Sequence, residues 1–350
     1  MNTEFLGALK ELEKEKGLAF EVLVEAIEAA LISAYKKNFG SSQNARVRID
    51  RDTGEVHVYQ QKMVVDEATD STGEMGLAEA RELDPNYEIG DCVEVEVTPR
   101  EFGRIATQTA KQVVTQRLRE AERNLIFQQF VEREQDIVTG TIRRLEMRNV
   151  LVDLGRTEAV LPAAEQVPGE LYRPGDRLKA YVIEVRKTSK GPQIILSRTH
   201  PGLLRRLFEL EVPEIHDGTV EIKACAREPG LRTKIAVASH LDNVDPVGAC
   251  VGPRGTRVQN VVNELQGEKI DIIRWEDDPE QFVANALSPA KVVSVTLNEE
   301  TRLAQVTVPD YQLSLAIGRE GQNARLAARL TGWKIDIKSF PATGVAAGEE

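Results

Sequence analysis

The chain has 350 residues, of which 41% are hydrophobic and 29% are charged, so its composition is that of a globular protein and its length suggests two or three domains. No apolar run approaches the roughly 18 residues that a membrane span requires. Residues 1–30 are acidic and amphipathic, unlike a secretion signal. We therefore expect a cytoplasmic protein that does not contact a membrane.

The formal net charge of −11 is concentrated in one stretch of the chain. Residues 64–96 contain eleven acidic residues and a single basic residue, Arg81, so the rest of the chain is close to neutral. Local charge, more than net charge, decides whether a surface binds a polyanion. The composition therefore permits nucleic-acid-binding surfaces outside this acidic segment.

The cysteine and histidine residues form no recognisable ligand pattern. Cys92, Cys225 and Cys250 are far apart, and no Cys-x-x-Cys or His-x-x-x-His spacing joins them to the four histidines. Isolated cysteines in apolar stretches usually behave as small hydrophobic residues. We predict no disulfide, no metal site and no cofactor.

Residues 1–134 are predicted to form an N-terminal α+β domain. Apolar residues recur at helical spacing in residues 3–39, with a break near Gly17, and indicate two helices. Alternating segments at 45–49 and 56–59 then indicate a β-hairpin.

The rest of this domain contains a short helix near residues 75–83 and a strand at 92–97. Residues 100–134 lack proline and carry an apolar stripe at helical spacing, which predicts one long connecting helix. Arg104 and Lys111 lie seven residues apart and therefore on one face of this helix.

Residues 135–200 contain five short strand candidates, the number of strands in an OB-fold barrel. The segments Gly140-Thr141-Ile142, Val150 to Gly155, Glu158 to Pro162 and Tyr172 to Asp176 resemble, in this order, an S1 domain. S1 domains bind single-stranded RNA. The strands largely lack the aromatic residues on which bases stack, so we expect weak, electrostatic RNA binding or a role mainly as a spacer.

Residues 201–276 and 277–344 repeat one pattern of helix, strand, strand, helix, turn, helix and strand, and residues 345–350 form a short tail. The Gly-x-x-Gly turns at Gly252–Gly255 and Gly318–Gly321 are 66 residues apart. Each is followed by the tetrad Lys-Ile-Asp-Ile, and the tetrads are 65 residues apart. Each copy resembles a prokaryotic-type (type II) KH domain.

A KH turn brings the backbone close to a nucleic-acid strand, which favours glycine, and the following helix begins with free N–H groups that suit a phosphate. Such turns clamp about four nucleotides. We predict that RNA contacts the two turns, their flanking residues and two basic residues of the barrel: Val251, Gly252, Pro253, Arg254, Gly255, Arg257, Ile317, Gly318, Arg319, Glu320, Gly321, Asn323, Arg325, Arg186 and Lys187.

The two turns differ in charge, because Arg254 favours a neighbouring phosphate and Glu320 repels one unless it points away. We therefore expect the first turn to hold the RNA backbone. The second turn is expected to contact RNA mainly through the apolar groove that Ile317 lines and through Arg319, Asn323 and Arg325.

The domain order, with Thr107 to Val113 in the long helix and Ala316 to Ala327 in the second KH module, resembles the NusA family of bacterial transcription termination and antitermination factors. The resemblance implies binding to core RNA polymerase through the N-terminal domain and to nascent RNA through the S1 and KH domains. It further implies effects on pausing and intrinsic termination, association with other Nus factors, and a monomer. On this interpretation Arg104 and Lys111 face the polymerase or an RNA hairpin, and the alternative is that they belong to a solvated face of the helix.

Two other functions are compatible with S1 and KH domains. Polynucleotide phosphorylase is an enzyme with both, but its KH domain precedes its S1 domain and follows large catalytic domains, whereas only about 134 residues precede the barrel here. These residues contain no catalytic motif, so we predict that the protein is not an enzyme. The other alternative is an RNA-binding protein of the ribosome or of RNA decay that does not contact polymerase.

Overall fold

The structure is a computed structural model that describes residues 3–39, 44–70, 73–189 and 191–340. The tail expected at 345–350 and the last residues assigned to the second KH module lie outside these ranges. The chain divides between Leu125 and Ile126 into two compact units.

The first unit begins with helices α1 (Thr3–Lys16) and α2 (Phe20–Phe39), followed by the antiparallel strands β1 (Ala45–Ile49) and β2 (Val56–Val65). The expected helix pair and hairpin are therefore confirmed. Their core includes apolar residues of both helices, both strands and the start of the next long helix: Leu9, Leu23, Ile27, Leu31, Val47, Val58, Phe102 and Ala106.

The acidic segment folds onto the end of β2. Strand β3 (Glu74–Gly76), helix α3 (Leu77–Leu83) and strand β4 (Cys92–Glu96) complete a four-stranded sheet, in which β3 pairs parallel and β4 antiparallel with β2. Val64, Met75, Ala80 and Val93 form a separate small core.

Helix α4 (Phe102–Val131) is the expected long helix. Its last turns belong to the second unit, where Ile126, Phe127 and Phe130 pack against the core of the barrel. The barrel is closed in the order β5-β6-β7-β9-β8. Its strands, which confirm the five-stranded prediction, are β5 (Ile137–Glu146), β6 (Asn149–Asp153), β7 (Glu158–Leu161), β8 (Arg177–Thr188) and β9 (Gly191–Ser197).

The first KH module follows the barrel, and its sheet has the order β10-β11-β12 with β12 parallel to β11. Its elements are α5 (Pro201–Glu211), α6 (Pro213–His216), β10 (Val220–Glu228), β11 (Arg232–Ser239), α7 (Pro246–Val251), α8 (Thr256–Glu264) and β12 (Lys269–Arg274).

The second KH module repeats this topology with the sheet order β13-β14-β15. Its elements are α9 (Pro279–Ala286), β13 (Ser294–Asn298), β14 (Leu303–Pro309), α10 (Asp310–Ile317), α11 (Gln322–Thr331) and β15 (Lys334–Phe340). The predicted fold class, an α+β domain with a long helix, an S1 barrel and two type II KH modules, is confirmed.

The sheet of the first KH module is buried on both faces. Ile235 and Val237 of β11 face the helices of their own module, whereas Ala226, Ala236 and Ile273 belong to the core of the second module. A sheet that is buried on both faces carries near-continuous apolar strands, as the run Ile235 to Ala238 does. The two KH modules therefore share a hydrophobic core.

A β-bulge in β10 makes this double packing possible. Ile222 pairs with Val237, but Ala224 pairs with Ala236, so Lys223 is an extra residue between the two pairs. Strict alternation would place Ile222 and Ala224 on one face, and the bulge instead turns Ala224 toward the second module.

A polar contact also joins the two modules. Lys234 is fully buried, and its Nζ donates to Asp271 Oδ2 at 3.0 Å and to the Ser288 carbonyl of the second module at 2.7 Å. Burial lowers the pKa of Lys234, and the charge of Asp271 opposes that shift.

The barrel packs on the first KH module around Arg198. The side chains of Arg198 and Glu170 are 1% and 3% exposed and form an ion pair, and Arg198 Nη2 also donates to the Glu264 carbonyl at the end of α8 at 3.0 Å. Arg198 is therefore buried between the barrel and the first KH module. Among the described residues, no helix combines the length and the apolar character that crossing a membrane requires.

A second buried ion pair stabilises the first KH module. Arg227 donates through Nε and Nη2 to the two carboxylate oxygens of Glu268, both at 2.8 Å, and each side chain is 1% exposed. Burial alone would raise the pKa of Glu268, but Arg227 and the bonds from Thr233 and Gly230 outweigh it and lower the pKa. The stability that the lowered pKa contributes is present above about pH 4 and is lost as the pH falls through the lowered value.

We expect Arg227→Ala to lower the free energy of unfolding of the first KH module by about 3–5 kcal/mol, because it leaves the Glu268 carboxylate buried without a positive partner. Native-state hydrogen exchange of the amides in β10 to β12 of the full chain measures this change. Arg232→Ala is the matched control, since Arg232 is 24% exposed and its partner Asp271 retains Lys234. Equal losses in the two variants would contradict this assignment.

Candidate nucleic-acid interface

The first Gly-x-x-Gly turn lies between α7 and α8 and has an unusual backbone. The φ and ψ angles are 74° and 175° at Gly252, 53° and 24° at Arg254, and 76° and 15° at Gly255. Glycine accepts positive φ at little cost, whereas other L residues in the left-handed region pay about 1–2 kcal/mol. Arg254 is therefore held in a strained conformation with its side chain exposed.

The second turn, between α10 and α11, repeats this conformation residue by residue. The φ and ψ angles are 75° and 172° at Gly318, 55° and 25° at Glu320, and 74° and 12° at Gly321. The sequence repeat is thus a repeat of backbone geometry. Backbone strain of this kind is concentrated at functional sites.

Close packing explains why glycine stands first in each turn. A Cβ atom at Gly252 would lie 2.6 Å from Cγ of Arg257, and one at Gly318 would lie 2.7 Å from Cβ of Asn323. Arg257 and Asn323 each stand five residues after that glycine. The first glycine therefore makes room for a side chain that folds back over the turn.

These folded-back side chains hold the turns in place. Arg257 Nη1 donates to the Ala249 carbonyl at 2.6 Å and to Glu214 Oε2 at 2.9 Å. Asn323 Nδ2 donates at 3.0 Å to the carbonyl of Ala316. In both modules the side chain thus bonds to the end of the helix that precedes the turn.

This geometry corrects the expectation for Asn323, which was predicted to contact RNA. Its side chain is 1% exposed, and Nδ2 also donates to the Leu287 carbonyl at 3.0 Å. A buried side chain bonded to the backbone cannot reach a nucleic acid. Arg257 is only a quarter exposed and its Nη1 is bonded within the module, so it too serves first to position its turn.

The helices after the turns begin without side-chain caps. Gly255 precedes α8 and Gly321 precedes α11, and neither helix start receives a side-chain hydrogen bond. The first N–H groups of a helix carry partial positive charge and suit an anion. The residues before the turns differ slightly, since Val251 is half-buried and Ile317 is 39% exposed.

The two turns carry different charges. Pro253 and Arg254 are both exposed, and Arg254 has no ion-pair partner among the described residues. In the second turn Arg319 and Glu320 are 92% and 82% exposed, with Arg319 Nε 3.7 Å from Glu320 Oε1. A phosphate would therefore meet an unpaired cation at the first turn and a carboxylate beside a cation at the second.

Arg325 is held by Glu228, a residue of the first module that the sequence does not single out. Its Nε donates to Glu228 Oε1 of the first module at 2.6 Å, and Gln322 Nε2 donates to Glu228 Oε2 at 2.9 Å. The bond with Arg325 lowers the pKa of Glu228, and the same bond raises the pKa of Arg325. Glu228 and Arg325 are 97 residues apart, so no local pattern indicates their contact.

Two basic residues of the barrel also have partners. Arg186 Nη2 lies 2.6 Å from Glu184 Oε2, and the side-chain bond raises the pKa of Arg186 and lowers that of Glu184. Lys187 Nζ lies 5.3 Å from the centre of the Phe127 ring, a cation–π distance. Both Arg186 and Lys187 remain exposed.

Arg104 and Lys111 lie on α4 in the first unit, and both are exposed. Cys92, Cys225 and Cys250 are free thiols. Within the described parts of the chain, no three His, Cys, Asp or Glu side chains lie close enough to hold a metal ion.

Comparison with protein families gives four adjoining matches. A NusA N-terminal domain matches residues 4–124, and an S1 RNA binding domain matches 132–198. A NusA-like first KH domain matches 198–275, and a NusA-like second KH domain matches 279–343.

Similar proteins extend over almost the whole chain. The transcription termination/antitermination protein NusA of Halalkalibacterium halodurans is 64% identical over 97% of this chain and 89% of its own length. The proteins of the same name from Bacillus subtilis and Thermus thermophilus are 62% and 46% identical, each over 97% of this chain and over 91% and 90% of their own lengths.

Among solved structures, the N-terminal domain of NusA from Bacillus subtilis is 59% identical and matches with a TM-score of 0.33 over 35% of this chain and 99% of that one. The NusA proteins of Halalkalibacterium halodurans and Bacillus subtilis are 64% and 62% identical to the chain over 97% of its length. The chain therefore belongs to the NusA family of transcription termination/antitermination factors, whose S1 and KH RNA-binding domains it carries.

Proposed function

We propose that this protein binds core RNA polymerase through residues 1–134 and takes up nascent single-stranded RNA on the S1 domain (135–200) and the KH domains (201–276 and 277–344). It thereby prolongs pausing, assists intrinsic termination and joins antitermination complexes with other Nus factors. It acts in the cytoplasm as a monomer, and it is not an enzyme.

The repeated turn is the observation that best supports RNA binding. Two strained turns have the same backbone angles, and each leads into a helix whose first N–H groups lack a side-chain cap. Neither feature adds to the stability of a module. Both suit the phosphate backbone of a nucleic acid.

The proposed contacts divide between the two turns. At the first turn the N–H groups and Arg254 hold a phosphate, with Val251 beneath the bases. At the second turn Glu320 weakens the hold on phosphate, so Arg319 and the exposed Ile317 supply more of the contact. Arg325 contributes only if it leaves Glu228, and Arg257 and Asn323 position the turns.

A single RNA strand is proposed to pass both turns. The two KH modules share a core, and Lys234 and Glu228 of the first module bond to the second. Separating the modules would expose this core to water, so the spacing of the turns is fixed. The barrel is proposed to contribute little to RNA affinity, because Arg186 and Lys187 act only through charge.

The polymerase-binding part rests on the family resemblance and on charge. Arg104 and Lys111 lie on one exposed face of α4, where they are proposed to meet polymerase or an RNA hairpin. The neighbouring acidic segment at 64–96 gives the same domain a surface that suits a basic partner.

Exchanging the charges of the two turns tests whether Arg254 attracts an RNA phosphate and Glu320 repels one. Arg254→Glu is expected to weaken single-stranded RNA binding roughly tenfold, and Glu320→Arg is expected to strengthen it, because each exposed residue sits beside the proposed phosphate. Fluorescence anisotropy at several salt concentrations measures both effects. The slope of log affinity against log salt is expected to become shallower by about 0.7 in Arg254→Glu.

Glu299→Lys supplies the control for this experiment, because Glu299 is an exposed carboxylate in the turn between β13 and β14. Its affinity and salt slope are expected to stay near those of the wild type. If all three variants bind alike, the turns do not hold phosphate.

The polymerase contact is tested by pull-down with core RNA polymerase and by pause lifetime on a template that encodes a hairpin. The wild type is expected to bind polymerase and lengthen the pause, and an Arg104→Glu, Lys111→Glu double variant is expected to lose most of the lengthening. The affinity for single-stranded RNA is expected to be unchanged, since α4 is not part of the KH turns.

Arg117→Glu serves as the matched control, because Arg117 is an exposed cation on a different face of α4. Failure of the wild type to bind polymerase, with RNA binding intact, would favour an RNA-binding protein of the ribosome or of RNA decay.

A further inference from the structure

The second KH module exposes an apolar stripe on α10. Tyr311 is 73% exposed, Leu315 is 43% exposed, and Ser314 between them is also exposed. Residues three and four apart lie on one face of a helix, so these three side chains form a continuous surface. Among the described residues, no other ring stacks on Tyr311.

The stripe leads directly into the second Gly-x-x-Gly turn. Gly318 stands seven residues after Tyr311, which is two helical turns and about 10 Å along the axis. Ile317, which is proposed to contact RNA at the second turn, is exposed at the same end. Tyr311 therefore marks the end of the stripe farthest from the turn.

The first module has a different surface at the same positions. Asp245 replaces the tyrosine, and Gly248 and Ala249 replace Ser314 and Leu315. Asp245 Oδ2 accepts from the Gly248 N–H at 3.0 Å, and Oδ1 accepts from Arg274 Nη2 at 2.6 Å. A polar pair thus occupies the place where the second module presents a free ring.

The neighbourhood of the stripe carries charges of both signs. Strand β15 packs against α10 and bears the exposed Lys334, Asp336 and Lys338, with Lys338 Nζ 3.8 Å from Asp336 Oδ2. Single-stranded nucleic acids stack their bases on exposed aromatic rings, and the ring of Tyr311 continues the stripe that ends at the second turn.

We infer that Tyr311 is a base-stacking residue of the second KH module. The RNA strand enters at the Gly318–Gly321 turn, follows the stripe of Leu315 and Ser314, and places one base on the ring of Tyr311. This inference rests on the proposed RNA binding. It gives the two modules distinct modes of recognition, with phosphate contact dominant at the first and stacking dominant at the second.

Alanine substitution tests the ring directly in the full chain. Tyr311→Ala is expected to weaken binding of single-stranded RNA by about 5- to 150-fold, the range that loss of base–aromatic stacking produces. Tyr311→Phe keeps the ring and is expected to bind within about twofold of the wild type. The salt dependence of affinity is expected to be the same in all three proteins, because stacking releases no counterions.

A second readout locates the base. Oligonucleotides with 2-aminopurine at successive positions are expected to show one position whose fluorescence is quenched by the wild type and Tyr311→Phe but not by Tyr311→Ala. Val293→Ala is the matched control, because Val293 is 62% exposed and lies beside β14 on the side away from β15. Its affinity and quenching are expected to match the wild type.

Several results would overturn the inference. Wild-type affinity and quenching in Tyr311→Ala would show that no base stacks there, and weaker polymerase binding with unchanged RNA affinity would make the ring a protein contact. Equal weakening in Tyr311→Ala and Val293→Ala would indicate a general loss of structure. A wild type that binds no RNA would refute the proposed function as well.

Discussion

The burial of one three-stranded sheet on both faces organises the RNA-binding half of this protein. The sheet of the first KH module packs on its own helices with Ile235 and Val237, and on the second module with Ala226 and Ala236. Small alanines let the second module approach closely, and the extra residue Lys223 turns the strand so that both faces are apolar. Separating the modules would expose this surface, at a cost of about 25 cal/mol per Å².

This packing fixes the spacing of the two turns, and several contacts hold the backbone conformation of each turn. Each first glycine leaves room for the side chain five residues later, and Arg257 and Asn323 use that room to bond the preceding helix. The strain at Arg254 and Glu320 persists because these bonds hold the backbone around it. Because both turns are already formed, the protein loses little conformational entropy when RNA binds.

Much of the fold follows from local signals in the sequence. Periodicity, the position of glycines and the repeat spacing predicted both KH modules, the barrel and the long helix, because these features depend on neighbouring residues. Site residues depend on distant contacts, which local patterns do not show. The sequence did not indicate that Asn323 is buried or that Arg325 bonds to Glu228. The apolar run from Ile235 to Ala238 was a usable signal of a sheet buried on both faces.

In the proposed mode of binding, both turns hold one RNA strand at the same time. The most direct test is the affinity and stoichiometry of single-stranded RNAs of increasing length. At about four nucleotides per module, affinity is predicted to rise with length until the strand has at least about eight nucleotides, with one RNA bound per protein. Saturation at about four nucleotides, or two strands bound to one protein, would show that the two turns do not hold one strand together.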